Sequence, residues 1–391
     1  MFNYNDVLKK KKKVKKNYND ISDDEIIEKY KKGEFRIVTE QARYPLANLK
    51  TIFNDTVDID LPNNDKRYDL NPEYQRRRVW DIKRKSRLIE SFIINVPVPP
   101  IFLYEVDYSS YEIMDGLQRV TTIIDYLDNE FALTDLEVWT ELEGKQYKDL
   151  PREIRLSIDR RYLSSIILLK ETAKNDKEAD MMKKFVFRRL NTGGVELSPQ
   201  EIRNALYMSK FNEYVTKWAE DSVFRGLWGN LDDDSYKRME DCELVLRFFA
   251  YKSACKHKLA MSSIKMLDMY AEEAKAFTDK DIKILSKLLS NTLKIVSHTF
   301  GEDPFKSDMD NNKSEKMIFD AVMIACAEYY EENNQNFEWI FEQEKGFLRK
   351  HKFKCIKNNT RIFNGKYTAI KNVSERVQLI KSLIKRNYDG I

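Results

Sequence analysis

An α+β protein in two parts is predicted by three observations. Up to about residue 210, short apolar strands alternate with amphipathic helical stretches. From about residue 211 onward only helical periodicity is left, as in ELVLRFFAYKSAC, DIKILSKLLSNTLKIVSH, MIFDAVMIACAEYY and ERVQLIKSLIK. A length of 391 residues also exceeds one ordinary core. The expected division is a basic tail over 1–20, an α/β part over 21–210 and an all-α part over 211–391.

Each element has a local reason. Ser22 and Glu25 have capping-box form, and Gly33 would close the helix they open. FRIVTE (35–40) reads as a strand and RYPLANLKTIF (43–53) as a short helix. A polar loop through Asn63, Asn64 and Asp65 leads to the extended segment RYDLNPEYQ, broken by Pro72. DIKRKSRLIESFIIN carries Ile82, Leu88, Ile89, Phe92 and Ile93 as a helical stripe with bases on the other side. PVPP (97–100) ends it and feeds the strand IFLYEV, then YEIM (111–114). DGLQR follows and opens the next helix. Beyond FALTDLEVW come a small helix at PREIRLSID and the strand LSSIILLK (163–170). MMKKFVFRRL is helical and ends at Asn191-Thr192-Gly193-Gly194. Ser198, Pro199 and Glu201 then supply N-cap, first helical residue and capping-box partner.

Charge narrows the classes. Seven lysines and two acids in residues 1–20 leave 61 bases against 62 acids elsewhere. The body is neutral, so a nucleic-acid footprint must be a local patch. The tail reads as a solvated, disordered arm, with a nucleic-acid or targeting role as the alternative. Cys242, Cys255, Cys326 and Cys355 show no C-x-x-C spacing, so no zinc or redox pair is expected. No stretch reaches the roughly 18 apolar residues of a membrane span. Without a signal-peptide pattern, the expected location is the cytoplasm.

The familiar catalytic signatures are missing. There is neither G-x-x-x-x-G-K-[ST] nor G-x-G-x-x-G, and no H-E-x-x-H. His257, His298 and His351 lie far apart, none in the α/β part, so no metal site is expected. Three constellations remain. In the first, Asp115-Gly116-Leu117-Gln118-Arg119 joins a strand to a helix. Gly116 is free to take a positive φ, Arg119 offers a two-pronged fork for phosphate, and Gln118 could orient a water. Thr121 and Thr122 fall in the first turn, where the dipole favours an anion. The bland alternative is a turn whose Asp115 caps the helix and pairs with Arg119. The second, NPEYQRRRVWDIKRK (71–85), holds Gln75, Arg76 and further bases around Tyr74 and Trp80. Aromatics among bases suit stacking with phosphate contact, although Trp80 reads best as a core anchor. The third, FRRLNTGGVELSPQEIRNALY (187–207), explains its glycines and Glu201 by capping, but not Arg188, Arg203 and Asn204.

Taken in order, Tyr74-Gln75-Arg76 with Trp80, LIES, PVPPIFLYE, DGLQR, and FRRLNTGG with LSPQEIRNA resemble the N-terminal domain of GmrSD-type restriction enzymes. The resemblance covers about residues 40–210, and RMEDCELVLRFFA (238–250) is similar to that family's helical extension. It implies a ParB/sulfiredoxin-like fold for the α/β part and a role in prokaryotic defence against foreign DNA. In relatives the D-G-Q-Q-R motif is associated with nucleoside triphosphate hydrolysis. Here Leu117 replaces the first Gln of that motif. The His-rich nuclease domain of full-length relatives has no counterpart in the helical half.

The leading expectation is therefore a cytoplasmic nucleoside triphosphatase or switch. Its cofactor would be a nucleoside triphosphate with Mg²⁺. Asp115, Gln118 and Arg119 are the expected catalytic residues. Gly116, Thr121, Thr122, Gln75, Arg76, Arg188, Asn191, Arg203 and Asn204 are the expected nucleotide-binding set. Expected partners are the nucleotide, DNA and a separate effector protein. A DNA-binding or nicking module without nucleotide chemistry, and an adaptor for that effector, stay open as alternatives.

Overall fold

The computed structural model describes residues 22–31, 37–54, 67–69, 80–173, 175–190, 198–229, 231, 235–236, 238–259, 261–310, 313–333, 338–363 and 368–388. The tail, Gln75, Arg76 and Asn191 lie outside the described residues. Contacts divide the chain into two compact units, with the division in sequence falling between positions 197 and 198.

The first unit begins with α1 (Asp23–Lys31), where Ser22 and Glu25 form the expected reciprocal hydrogen bonds. Then come β1 (Thr39–Pro45), a single 3₁₀ turn and α2 (Leu49–Phe53). The remaining elements are β2 (Tyr68–Asp69), α3 (Ile82–Ile93), β3 (Ile101–Asp107), β4 (Ser110–Asp115), α4 (Leu117–Leu127), α5 (Arg152–Asp159), β5 (Tyr162–Leu168) and α6 (Asp176–Leu190). The strands make one mixed sheet in the order β1-β5-β3-β4-β2. β1 pairs antiparallel with β5, β5 parallel with β3, β3 antiparallel with β4, and β4 parallel with β2.

The first strand differs from its expected span of 35–40. Its register is fixed by β5, which pairs Tyr44 with Leu163 and Pro45 with Tyr162. Proline is tolerated there because β1 is an edge strand. Residues 43–45 are thereby drawn from the expected helix into the sheet.

Alternation along the central strands sorts the two faces. Ile101, Leu103 and Ile113 join Leu88, Ile89, Phe92, Val120, Ile123 and Tyr126 in one core. On the opposite face Lys183 of α6 pairs with the buried Glu112 and lies 5.1 Å from the Tyr104 ring.

The second unit is helical: α7 (Pro199–Leu206), α8 (Lys210–Ala219), α9 (Ser222–Trp228), α10 (Glu240–His257), α11 (Ser263–Glu273), α12 (Asp279–Phe300), α13 (Lys316–Glu332), α14 (Glu338–Glu342), α15 (Arg349–Asn358), α16 (Thr360–Phe363) and α17 (Ile370–Tyr388). α13 is buried nearly all round, as its run MIFDAVMIACAEYY demands. Ser198 and Glu201 form the expected capping box on α7. By contacts, α7 groups with these helices.

Candidate functional site

The D-G-L-Q-R turn stands at the junction of β4 and α4. The register of β3 and β4 jumps just before it: Leu103 faces Ile113, whereas Phe102 faces Asp115. Met114 is thus an extra residue on β4. A bulge of this kind bends the strand and re-aims the residues after it. Gly116 then turns the chain at φ 101° and serves as N-cap of α4 without any side-chain cap. Its lack of a side chain has a second cause. A Cβ would lie 2.9 Å from Ile101 Cβ and closer still to Ile101 Cγ2. The glycine is required by packing against β3 as well as by its dihedral.

Arg119 folds back onto the turn. Its Nη2 donates to Asp115 Oδ2 at 2.6 Å and to the Pro100 carbonyl at 3.2 Å. The side chain is only 14% exposed, and its Nε is buried without a hydrogen-bond partner among the described residues. Half of the bland alternative is therefore present: Asp115 pairs with Arg119 but does not cap the helix. Gln118 Oε1 accepts the backbone N–H of Trp80 at 3.0 Å. Trp80 packs against the core, as its sequence context indicates, and Arg84 lies 4.5 Å over its ring. The first N–H groups of α4 have no intrahelical acceptor, as in any helix. The turn thus collects donors: Leu117 and Gln118 N–H, the Gln118 amide and Arg119 Nε.

The threonines behave differently from expectation. Thr121 donates its hydroxyl to the Leu117 carbonyl at 3.0 Å. Thr122 is fully buried, and its hydroxyl has no partner among the described residues. Among the described residues, no group of three or more His, Cys, Asp and Glu could hold a metal ion.

The other expected site residues lie on other elements. Arg188 lies exposed in the last turn of α6. Arg203 and Asn204 belong to the helical unit and are buried there. Arg203 reaches Asp268 at 3.0 Å, Gln200 at 3.2 Å and Glu243 at 3.3 Å. Asn204 accepts from Gln200 Nε2 at 2.8 Å and donates to Met239 Sδ at 2.9 Å. Both side chains are engaged in holding helices together. For Glu243, burial opposes ionisation, but Lys316 and Arg203 outweigh it and hold the carboxyl below its usual range.

Sequence reasoning passed over Glu90, the acid of LIES. It is buried and accepts three backbone N–H groups, from Glu137, Val138 and Trp139, at 2.8–3.0 Å. Burial works against its charge, yet these bonds hold its carboxyl below the usual range. A carboxylate inside an apolar helical stripe was the available signal. On the basic face of α3, Arg87 pairs with Asp135 at 3.0 Å and Lys83 lies 3.7 Å from the same carboxylate.

The geometry defines a class: an α+β domain whose bulged central hairpin runs through glycine into a donor-rich helix start. Residues 49–208 match the family described as GmrSD restriction endonuclease, N-terminal domain, and that segment belongs to this family. The family's description links residues 49–208 to restriction-type defence proteins. Comparison with curated proteins and with solved structures found no match. Among the described residues, no helix is long and apolar enough to cross a membrane.

Proposed function

We propose that this protein acts in restriction-type defence and binds a nucleoside triphosphate at the turn of residues 115–119. The observation that carries the reading is Arg119. A guanidinium that is largely buried, with Nε lacking a partner among the described residues, is short of an acceptor. A phosphate oxygen is such an acceptor, and the N-terminus of α4 favours the same negative charge. Asp115 would hold the fork in place until the anion arrives. Gly116 and Leu117 would contribute backbone, and Arg119 the charge.

A DNA phosphate at the same turn is the second reading, favoured by the exposed Lys83 and Arg87 on α3. Their pairs with Asp135 are surface pairs, worth about 0–1 kcal/mol, so phosphate could replace them cheaply. Thermal unfolding separates the two. With a non-hydrolysable triphosphate at about 100 times its Kd, stability should rise by about 2.7 kcal/mol. No shift with any triphosphate, together with salt-dependent binding of bare DNA that requires Arg119, would favour the second reading.

A further inference from the structure

We infer that Gln118 is a latch joining the anion site to the start of α3, presenting donors to the ligand rather than orienting a water. This rests on the nucleotide reading above. The Trp80 backbone N–H is a donor only, so the Gln118 atom 3.0 Å from it is the carbamoyl oxygen. That contact fixes which way the amide faces. Its nitrogen then carries two N–H groups that meet no acceptor among the described residues. Orienting an attacking water calls on an acceptor, and here the acceptor is held by Trp80. Binding a phosphate oxygen calls on donors, and the amide has two.

The other end of the latch is equally defined. Asp81 caps α3 by accepting from Arg84 N at 2.8 Å. Arg84 stacks over Trp80. One turn further along, Lys85 bridges to Asp125 of α4 at 2.8 Å. Ahead of Lys85, the backbone entering α3 is tied to α4 by the bond from Trp80 to Gln118. When the amide donates to a phosphate, its oxygen becomes a better acceptor, and the Trp80 bond tightens. Ligand binding and order at the start of α3 are then coupled with the same sign, and the coupling is reciprocal. Trp80 and Arg84 are thereby the reporters of an occupied site.

The chain has five tryptophans, so isotope labelling of tryptophan gives a simple amide spectrum, with Trp80 assigned by Trp80→Phe. The probes are adenosine and guanosine 5′-(β,γ-imido)triphosphate on the intact chain. In the unsubstituted protein, bound nucleotide should slow exchange of the Trp80 amide by at least about 5-fold, the lower end of ordinary coupling. Gln118→Glu keeps an acceptor for Trp80 but loses both donors. It should keep the ligand-free protection of Trp80 and bind nucleotide at least about 10-fold more weakly, the loss expected of a donor that meets a charged group. Gln118→Met should lose both properties. Full affinity in Gln118→Glu, or a Trp80 amide indifferent to bound nucleotide, overturns the latch alone. Absence of nucleotide binding by the unsubstituted chain overturns the latch and the nucleotide reading together.

Discussion

Replacing Gly116 by alanine tests whether the turn is shaped by packing. Two costs add. An L-residue held at φ 101° is strained by about 1–2 kcal/mol. Its Cβ would also press on Ile101, whose Cβ would lie 2.9 Å away, and such overpacking costs about 1–3 kcal/mol. Gly116→Ala should therefore lower stability by about 2–5 kcal/mol on these two principles. The assay is urea unfolding followed by circular dichroism. A second substitution isolates the contact. Ile101→Ala removes Cγ2, so Gly116→Ala should cost less in that background, by at least about 0.5 kcal/mol of coupling. Strict additivity would refute the packing argument and leave the dihedral as the sole reason for glycine. A loss below about 1 kcal/mol would refute both.

The further outcomes concern three buried groups. Glu90→Ala should cost at least about 3 kcal/mol, because three backbone N–H groups lose their acceptor. Glu90 also links stability to acid: its folded pKa is depressed, so its contribution is present above the unfolded value of about 4.3 and is lost as pH falls through the folded one. Glu90→Gln should flatten that acid limb in pH-dependent unfolding. Arg203→Met should destabilise the helical unit by about 3–5 kcal/mol in denaturant unfolding, since it removes a buried guanidinium that pairs with both Asp268 and Glu243. Burial brings the Lys352 amine down to about 7, with nearby Asp303 opposing the shift. The unfolded chain then holds the extra proton between about 7 and 10.4, so stability should rise with pH across that window and lose this component in Lys352→Met.

What the sequence could disclose was set by distance along the chain. The boxes of Ser22 with Glu25 and of Ser198 with Glu201 span three residues, and both were legible. The strand-to-helix junction at Gly116 was legible for the same reason. Arg203 meets Asp268 across 65 positions, so no local pattern marks its partner. The span of β1 was hidden because an edge strand takes its register from its neighbour, here β5. The Met114 bulge exists only in the pairing with β3. At Gly116 the residue type was legible but one of its causes was not, since Ile101 approaches from another strand. Arg119 read as a surface fork, whereas the carbonyl of Pro100 and the bulged Asp115 draw it inward.

Calorimetric titration of the intact chain with a non-hydrolysable nucleoside triphosphate tests the nucleotide reading most directly. The unsubstituted protein should bind saturably at about one site per chain, more tightly at low salt, as an anion on a guanidinium requires. Arg119→Met should bind at least about 10-fold more weakly, the loss expected for hydrogen bonds to a charged group. Its circular dichroism should stay that of a folded α+β protein. Absence of binding by the unsubstituted chain, or unchanged affinity in folded Arg119→Met, would contradict the assignment of this turn as the nucleotide site.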